Sequence, residues 1–184
     1  VALIDSNKNH TEAAKTIGLA SYQGNIHSSE FMEEIDFSEI GRGLAVTGNT
    51  EINAFAELAL GKHLGKTHVY HLATGESSNK ARGGSAERQE NILFDSAATF
   101  DLIEREFYSG AVVREILLKE DWDPEKAKTF EGFLLPLFSI GESGQLRVFS
   151  SRSTFVPKAG SKVLVLHRSD PSARKAKPNQ EVES

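Results

Sequence analysis

The sequence predicts an α/β unit followed by a smaller, mostly β (α+β) unit, and three observations carry that expectation. Apolar strand-like runs alternate with helix-like periods as far as residue 72. Gly, Ser, Asn and charged residues then dominate positions 73–90, and beyond about residue 110 apolar runs follow one another with only turns between them. With 184 residues, 39% of them hydrophobic, the chain is long enough to bury one or two cores. Its only methionine is Met32, and Val1-Ala2-Leu3-Ile4 reads as a strand already under way, so the sequence is expected to be a piece of a longer chain.

The elements follow in order. Val1–Ile4 is continuously apolar, as in a strand covered on both faces, and Asp5-Ser6-Asn7 supplies turn and cap residues. A helix is expected from about Asn9 to Ile17, burying Ala13, Ala14 and Ile17 and stopping at Gly18. Leu19–Tyr22 is a second strand. Ser28 or Ser29 can then cap a short helix carrying Phe31, Met32 and Ile35, with Glu33, Glu34, Asp36 and Glu39 on its wet face. Gly43–Thr47 is a third strand and Glu51–Leu64 a longer helix, capped by Asn49 or Thr50, with Ile52, Phe55, Ala56, Leu58, Ala59 and Leu60 inward. Thr67–Leu72 alternates as a fourth strand. Such a rhythm calls for a parallel sheet with right-handed crossovers.

After the linker, Thr99–Tyr108 is expected to be a helix burying Phe100, Ile103 and Phe107. Strands are expected at 110–118, 133–138, 145–149 and 162–166, with a turn at Glu142-Ser143-Gly144. Pro136 inside one of them argues for an edge or a bulge, and Trp122 and Phe130 are expected in a small aromatic core. Residues 169–184, polar and without apolar periodicity, are expected to form a flexible tail.

Composition narrows the chemistry. A net charge of −5 without a basic stripe argues against nucleic-acid recognition, and the absence of cysteine excludes disulfide scaffolds and thiol chemistry. No apolar run is long enough to span a bilayer. His68 and His71 are expected on opposite faces of a strand, so they make no zinc pattern, and Gly141-Glu142-Ser143-Gly144 is one residue short of a nucleophile elbow. Asp101, Glu104, Glu106 and Glu115 are expected at the surface, with nothing local to suggest an acid–base pair. The chain therefore reads as a binding or regulatory module rather than an enzyme. Parallel sheets bind ligands beyond the carboxyl ends of their strands, which puts Asp5, Gly24-Asn25 and Thr47-Gly48-Asn49 on a candidate rim, although loops use the same residues merely to turn and cap.

Val-Ala-Leu-Ile-Asp-Ser-Asn at 1–7, Ala-Ser-Tyr-Gln-Gly-Asn at 20–25 and Gly-Leu-Ala-Val-Thr-Gly-Asn-Thr-Glu-Ile-Asn at 43–53 together carry a family resemblance. In their order and spacing they resemble the cytosolic nucleotide-binding domain of potassium-transport regulators and of bacterial monovalent cation–proton (sodium/hydrogen) antiporters. The resemblance covers most of residues 1–72, and 110–166 looks like the accessory domain that often follows. It implies a Rossmann-like parallel sheet, here incomplete because the family's first strand and Gly-rich loop are lacking, with a partial nucleotide-binding domain at 1–72 and an accessory domain at 91–168. It also implies that Asp5 engages adenosine ribose, that Ser6 beside it belongs to the nucleotide-binding residues, that Asn25 lies beside adenine where the family often has Asp, and that Thr47 and Asn49 lie near the phosphates.

The implied ligand is NAD(H) or ATP/ADP in the complete protein, with none bound tightly by these 184 residues. The implied partners are a membrane-embedded antiporter domain and a second copy in a homodimer, at the cytoplasmic face of the inner membrane. The lost strand belongs between Val1–Ile4 and Gly43–Thr47, so the gap is expected to be filled by another chain's strand, by exchange of elements, or left as incomplete order. Two other readings stand beside this one: a fragment of a nucleotide-dependent oxidoreductase, and a structural assembly module.

Overall fold

The structure, a computed structural model, describes residues 1–73, 91–151 and 153–168. Residues 74–90 of the expected linker and the tail at 169–184 lie outside the described residues. The fold is mixed α/β, with small parallel sheets and one antiparallel sheet. The chain divides into two compact units, Val1–Phe100 with Ser150–Arg152, and Asp101–Phe149 with Ser153–Ser184.

In the first unit β1 (Ala2–Asp5), α1 (Lys8–Thr16) and β2 (Ala20–Gln23) form one crossover, with β1 and β2 parallel and Asp5 level with Gln23. After the short helix α2 (Ser29–Glu33), β3 (Gly43–Ala45), α3 (Thr50–Leu64) and β4 (Val69–His71) form a second, with Ala45 level with His71. The parallel strands make two separate two-stranded sheets. The Asp5 carbonyl accepts from the Gly24 amide (3.1 Å) and that of Ala45 from the Leu72 amide (3.2 Å). Backbone groups alternate sides along a strand, so Ala2 and Ile4 point theirs away from β2, and Leu44 away from β4. Among the described residues no ladder joins β1 to β3.

Side chains do what the ladder does not. Met32 and Ile35 from and just after α2, Ala56, Ala59 and Leu60 of α3, Ala45 of β3 and Val69 of β4 form one buried cluster, and Ile4 of β1 and Tyr22 of β2 pack against it. Each fully buried side chain of this size contributes about 1.5–3 kcal/mol. The outer edge of β4 is occupied: the His71 amide donates to the Asn91 carbonyl (3.0 Å) and the Leu93 amide to the His71 carbonyl (2.8 Å). Residues 91–93 thereby belong with the first unit.

The second unit is a four-stranded antiparallel sheet ordered β5-β8-β6-β7, from β5 (Ala111–Leu117), β6 (Phe133–Ile140), β7 (Leu146–Val148) and β8 (Lys162–Arg168). The helix α4 (Phe100–Tyr108) leads into it, and α5 (Pro124–Lys128) precedes β6. Trp122, Ala127, Phe149, Val163 and Val165 form its core, with Phe133 and Phe155 packed against them. The β6–β8 register shifts between Pro136 and Phe138, beside the proline that cannot donate to a ladder. Gly144 adopts φ +82° in the β6–β7 hairpin, the left-handed conformation that its turn requires.

Several sequence expectations are corrected. On α1, Ala14 is buried as expected, but Ala13 and the cap residue Ile17 are exposed, Ile17 at 76%, and Thr11 is buried in their place. Ile52 and Leu58 of α3 are exposed while Asn53 is buried. Lys66–His68 is a 3-10 turn rather than the start of a strand, because the Gly65 carbonyl accepts from the His68 amide (3.0 Å). Phe130 is 59% exposed and outside the aromatic core, since the Thr129 and Phe130 amides close the α5 terminus and leave the ring outside. The helix α5 itself was not anticipated, although Asp123 before Pro124 is a cap followed by the residue best suited to the first turn.

The largest correction concerns α4, where Phe107 is exposed and Glu106 is buried. Arg168 explains the exchange: its Nη2 lies 2.8 Å from both Glu106 carboxylate oxygens and its Nε donates to Oε2 at 3.1 Å. A buried carboxylate stripped of its cation is costly. Because Arg168 is 56% exposed and the Arg105 guanidinium stays 3.9 Å from Glu106, Arg168→Ala is expected to destabilise the chain by about 1–2 kcal/mol, and Glu106→Leu added to it to recover most of that loss. Paired denaturant titrations of the single and double variants check this, and an unrecovered double variant would contradict it.

Candidate functional site

The expected ligand residues sit where parallel strands end, in two groups. Asp5 closes β1 and Ser6 follows it, and Asn25 comes two residues after β2, whose neighbour Gly24 bonds the Asp5 carbonyl. Thr47 and Asn49 follow β3 on the other parallel pair. Adjacent strands thus bring Asp5, Ser6 and Asn25 together, while no hydrogen bond among the described residues connects them to Thr47 and Asn49.

Most of these groups are committed to structure. Asn25 Oδ1 accepts from the His27 amide (2.9 Å), an Asx turn that leads to the Ser28 cap of α2. Asn49 Oδ1 accepts from the Glu51 and Ile52 amides (2.8 and 3.1 Å), capping α3. Buried Asn53 grips the Thr47 loop on both sides: its Oδ1 accepts from the Thr47 amide (3.0 Å) and hydroxyl (2.8 Å), and its Nδ2 donates to the Thr47 carbonyl (2.8 Å). Gly48 is confined too, since an added Cβ would lie 3.1 Å from the Phe100 ring.

Asp5 differs from the others. The Asn7 amide donates to its Oδ1 (2.8 Å) and His10 Nδ1 lies 2.7 Å from its Oδ2. Burial alone would push the Asp5 carboxyl up, but the Asn7 amide, His10 by hydrogen bond and charge, and the Ser6 amide outweigh it and hold the pKa below the ordinary carboxylate value. His10 was not anticipated. Its signal was present, because the Asn7 cap puts position 10 at the third helical residue, which reaches back toward the residues before the cap.

Of the other five histidines, His27 packs on Phe55 (centroids 3.9 Å), His63 stacks on Phe37 (4.4 Å) and His71 Nε2 lies 4.0 Å from the Glu57 carboxylate. No cluster of three or more His, Asp or Glu among the described residues could hold a metal ion. In the second unit an open groove of about 350 Å³ is lined by Ser139, Glu142, Gln145, Arg147, Phe155 and Lys158. There the Arg147 guanidinium lies 5.4 Å over the Phe155 ring, and Lys158 is held by Asp121 at 2.7 Å. No helix among the described residues is long and apolar enough to cross a membrane.

Comparison with protein-family models matches none of them, and comparison with curated proteins gives no significant match.

Two outcomes follow from these contacts. Asn53→Ala is expected to cost about 1 kcal/mol by removing the bonds that hold the exposed Thr47 loop, visible as a lower unfolding midpoint and faster amide exchange at Thr47. Asp5 has a lower pKa folded than unfolded, so its stabilisation is complete above the ordinary value and is lost as pH falls through the folded value. Acid titrations of stability should therefore be flatter for Asp5→Asn than for the wild type below about pH 4. Parallel curves would contradict the pairing.

Proposed function

We propose that the first unit is the nucleotide-sensing part of a cytosolic regulatory domain that modulates a sodium (or potassium)/proton antiporter, and that the chain is not an enzyme. The observation that carries the reading is the Asp5 carboxylate, favoured in its ionised form at the carboxyl end of a parallel strand, where a ribose diol can donate to it. Asn25 on the neighbouring strand end then lies on the base side. The two parallel pairs are read as the flanks of a Rossmann-like sheet, which is the arrangement the family resemblance implies.

Ligand binding in such a domain acts by favouring one of two shapes, so the partners are the membrane-embedded antiporter portion and a second copy of the domain at the cytoplasmic face of the inner membrane. The ligand class is NAD(H) or ATP/ADP. Catalysis is disfavoured by what His10 touches: Nδ1 faces Asp5 and Nε2 faces Asn7 Nδ2 (3.4 Å), with no described hydroxyl at either nitrogen.

Affinity is expected to be low. The Asn7, Ser28 and Asn49 side chains already take one amide of α1 (Asn9), one of α2 (Phe31) and two of α3 (Glu51 and Ile52), which leaves fewer N-terminal amides for a pyrophosphate. NMR titration with ADP or NAD should move the amide signals of Asp5–Asn7 and Gly24–His27 with a dissociation constant on the order of 1 mM. Shifts at neither loop would overturn the reading. Tight stoichiometric binding by calorimetry would contradict the assignment of the capped helix ends.

A further inference from the structure

Asp5, Asn7 and His10 form a closed set of contacts in the β1–α1 turn, and the role of each atom can be worked out in sequence. Asn7 Oδ1 is fixed as an acceptor because it takes the Asn9 amide (2.9 Å) as the α1 cap. Its Nδ2 is therefore the atom turned toward His10 Nε2, at 3.4 Å. An amide nitrogen can only donate, so in the neutral ring Nε2 is the acceptor and carries no proton. His10 Nδ1 then bears the proton and donates to Asp5 Oδ2 at 2.7 Å, as an ionised carboxylate requires.

Whenever the ring is neutral, the turn thus selects the tautomer with the proton on Nδ1. A carboxylate offers about four lone-pair sites, and hydrogen bonds from the Asn7 amide and His10 take one on each oxygen. With the Ser6 amide also drawing on the carboxylate, acceptor capacity is still left for ligand hydroxyl groups.

We propose that His10 is a positioning residue for Asp5: locked in one tautomer by the Asn7 side chain, it holds the carboxylate in the orientation that accepts a vicinal diol. The inference rests on the nucleotide reading given above and adds to it a residue that need not touch the ligand. Asn7 has two separable duties in it, since its oxygen caps the helix and its nitrogen sets the histidine. Serine at this position keeps the first duty and removes the second.

The test uses the intact 184-residue chain. Nitrogen-15 NMR of the His10 ring under mildly alkaline conditions should show the Nδ1–H tautomer, and Asn7→Ser should shift it toward Nε2–H. An Nε2–H tautomer in the wild type overturns the proposal. The second measurement compares ADP with 2′,3′-dideoxy-ADP by NMR titration. Preference for the diol should fall about fivefold in His10→Ala, by less in Asn7→Ser, and vanish in Asp5→Asn. A preference unchanged in His10→Ala but lost in Asp5→Asn overturns the role of His10 and leaves the nucleotide reading standing. No preference in the wild type overturns both.

Discussion

Two pairs of parallel strands, between which no ladder runs among the described residues, are held together by the side-chain cluster of α2 and α3. Parallel pairs of three or four residues are weak by themselves, because their crossover loops are long and their ladders short. The cluster compensates by drawing one or more residues from every strand of the first unit, from Ile4 and Tyr22 to Ala45 and Val69. Its closeness explains two glycines: a Cβ at Gly43 would lie 3.0 Å from Leu60 Cδ1, and one at Gly24 would fall within the Phe31 ring. Both positions let a helix or its connection sit directly on a strand.

The strand ends carry the second constraint. A helix that starts one turn after a strand leaves amides without partners, and here Asn7, Ser28 and Asn49 supply oxygens to them. Residue types that make a rim suitable for a polar ligand are thereby used to build the rim. Asn53 repeats the pattern from inside α3, since both ends of its buried amide bond the Thr47 loop. Asp5 is the exception, because the groups around it steady its charge without covering it: its side chain is 29% exposed.

The alternation of strand and helix was legible in the sequence because period-two and period-3.6 patterns depend on neighbours only. Which face of a helix is buried depends on what the helix meets. Leu58 and Ile52 continue the apolar stripe of α3 yet face outward, and the polar Asn53 is buried by its bonds to Thr47. Glu106 was unreadable for the same reason, its partner Arg168 being 62 residues away. Within the candidate site, Asp5 and its strand-end position could be read directly. His10 could have been, from its place three residues after the Asn7 cap, whereas the commitment of Asn25, Thr47 and Asn49 to caps and turns emerges only from three-dimensional contacts.

The missing ladder between β1 and β3 also has a mechanical meaning. Strands joined by backbone hydrogen bonds resist shear, because sliding by less than a full register breaks directional bonds. The seam between these two pairs is held by apolar contacts, which are non-directional and tolerate small offsets at little energetic cost. The Asp5 end and the Thr47 end therefore belong to separate ladders, and the spacing between them is set by side-chain packing rather than by backbone hydrogen bonds among the described residues.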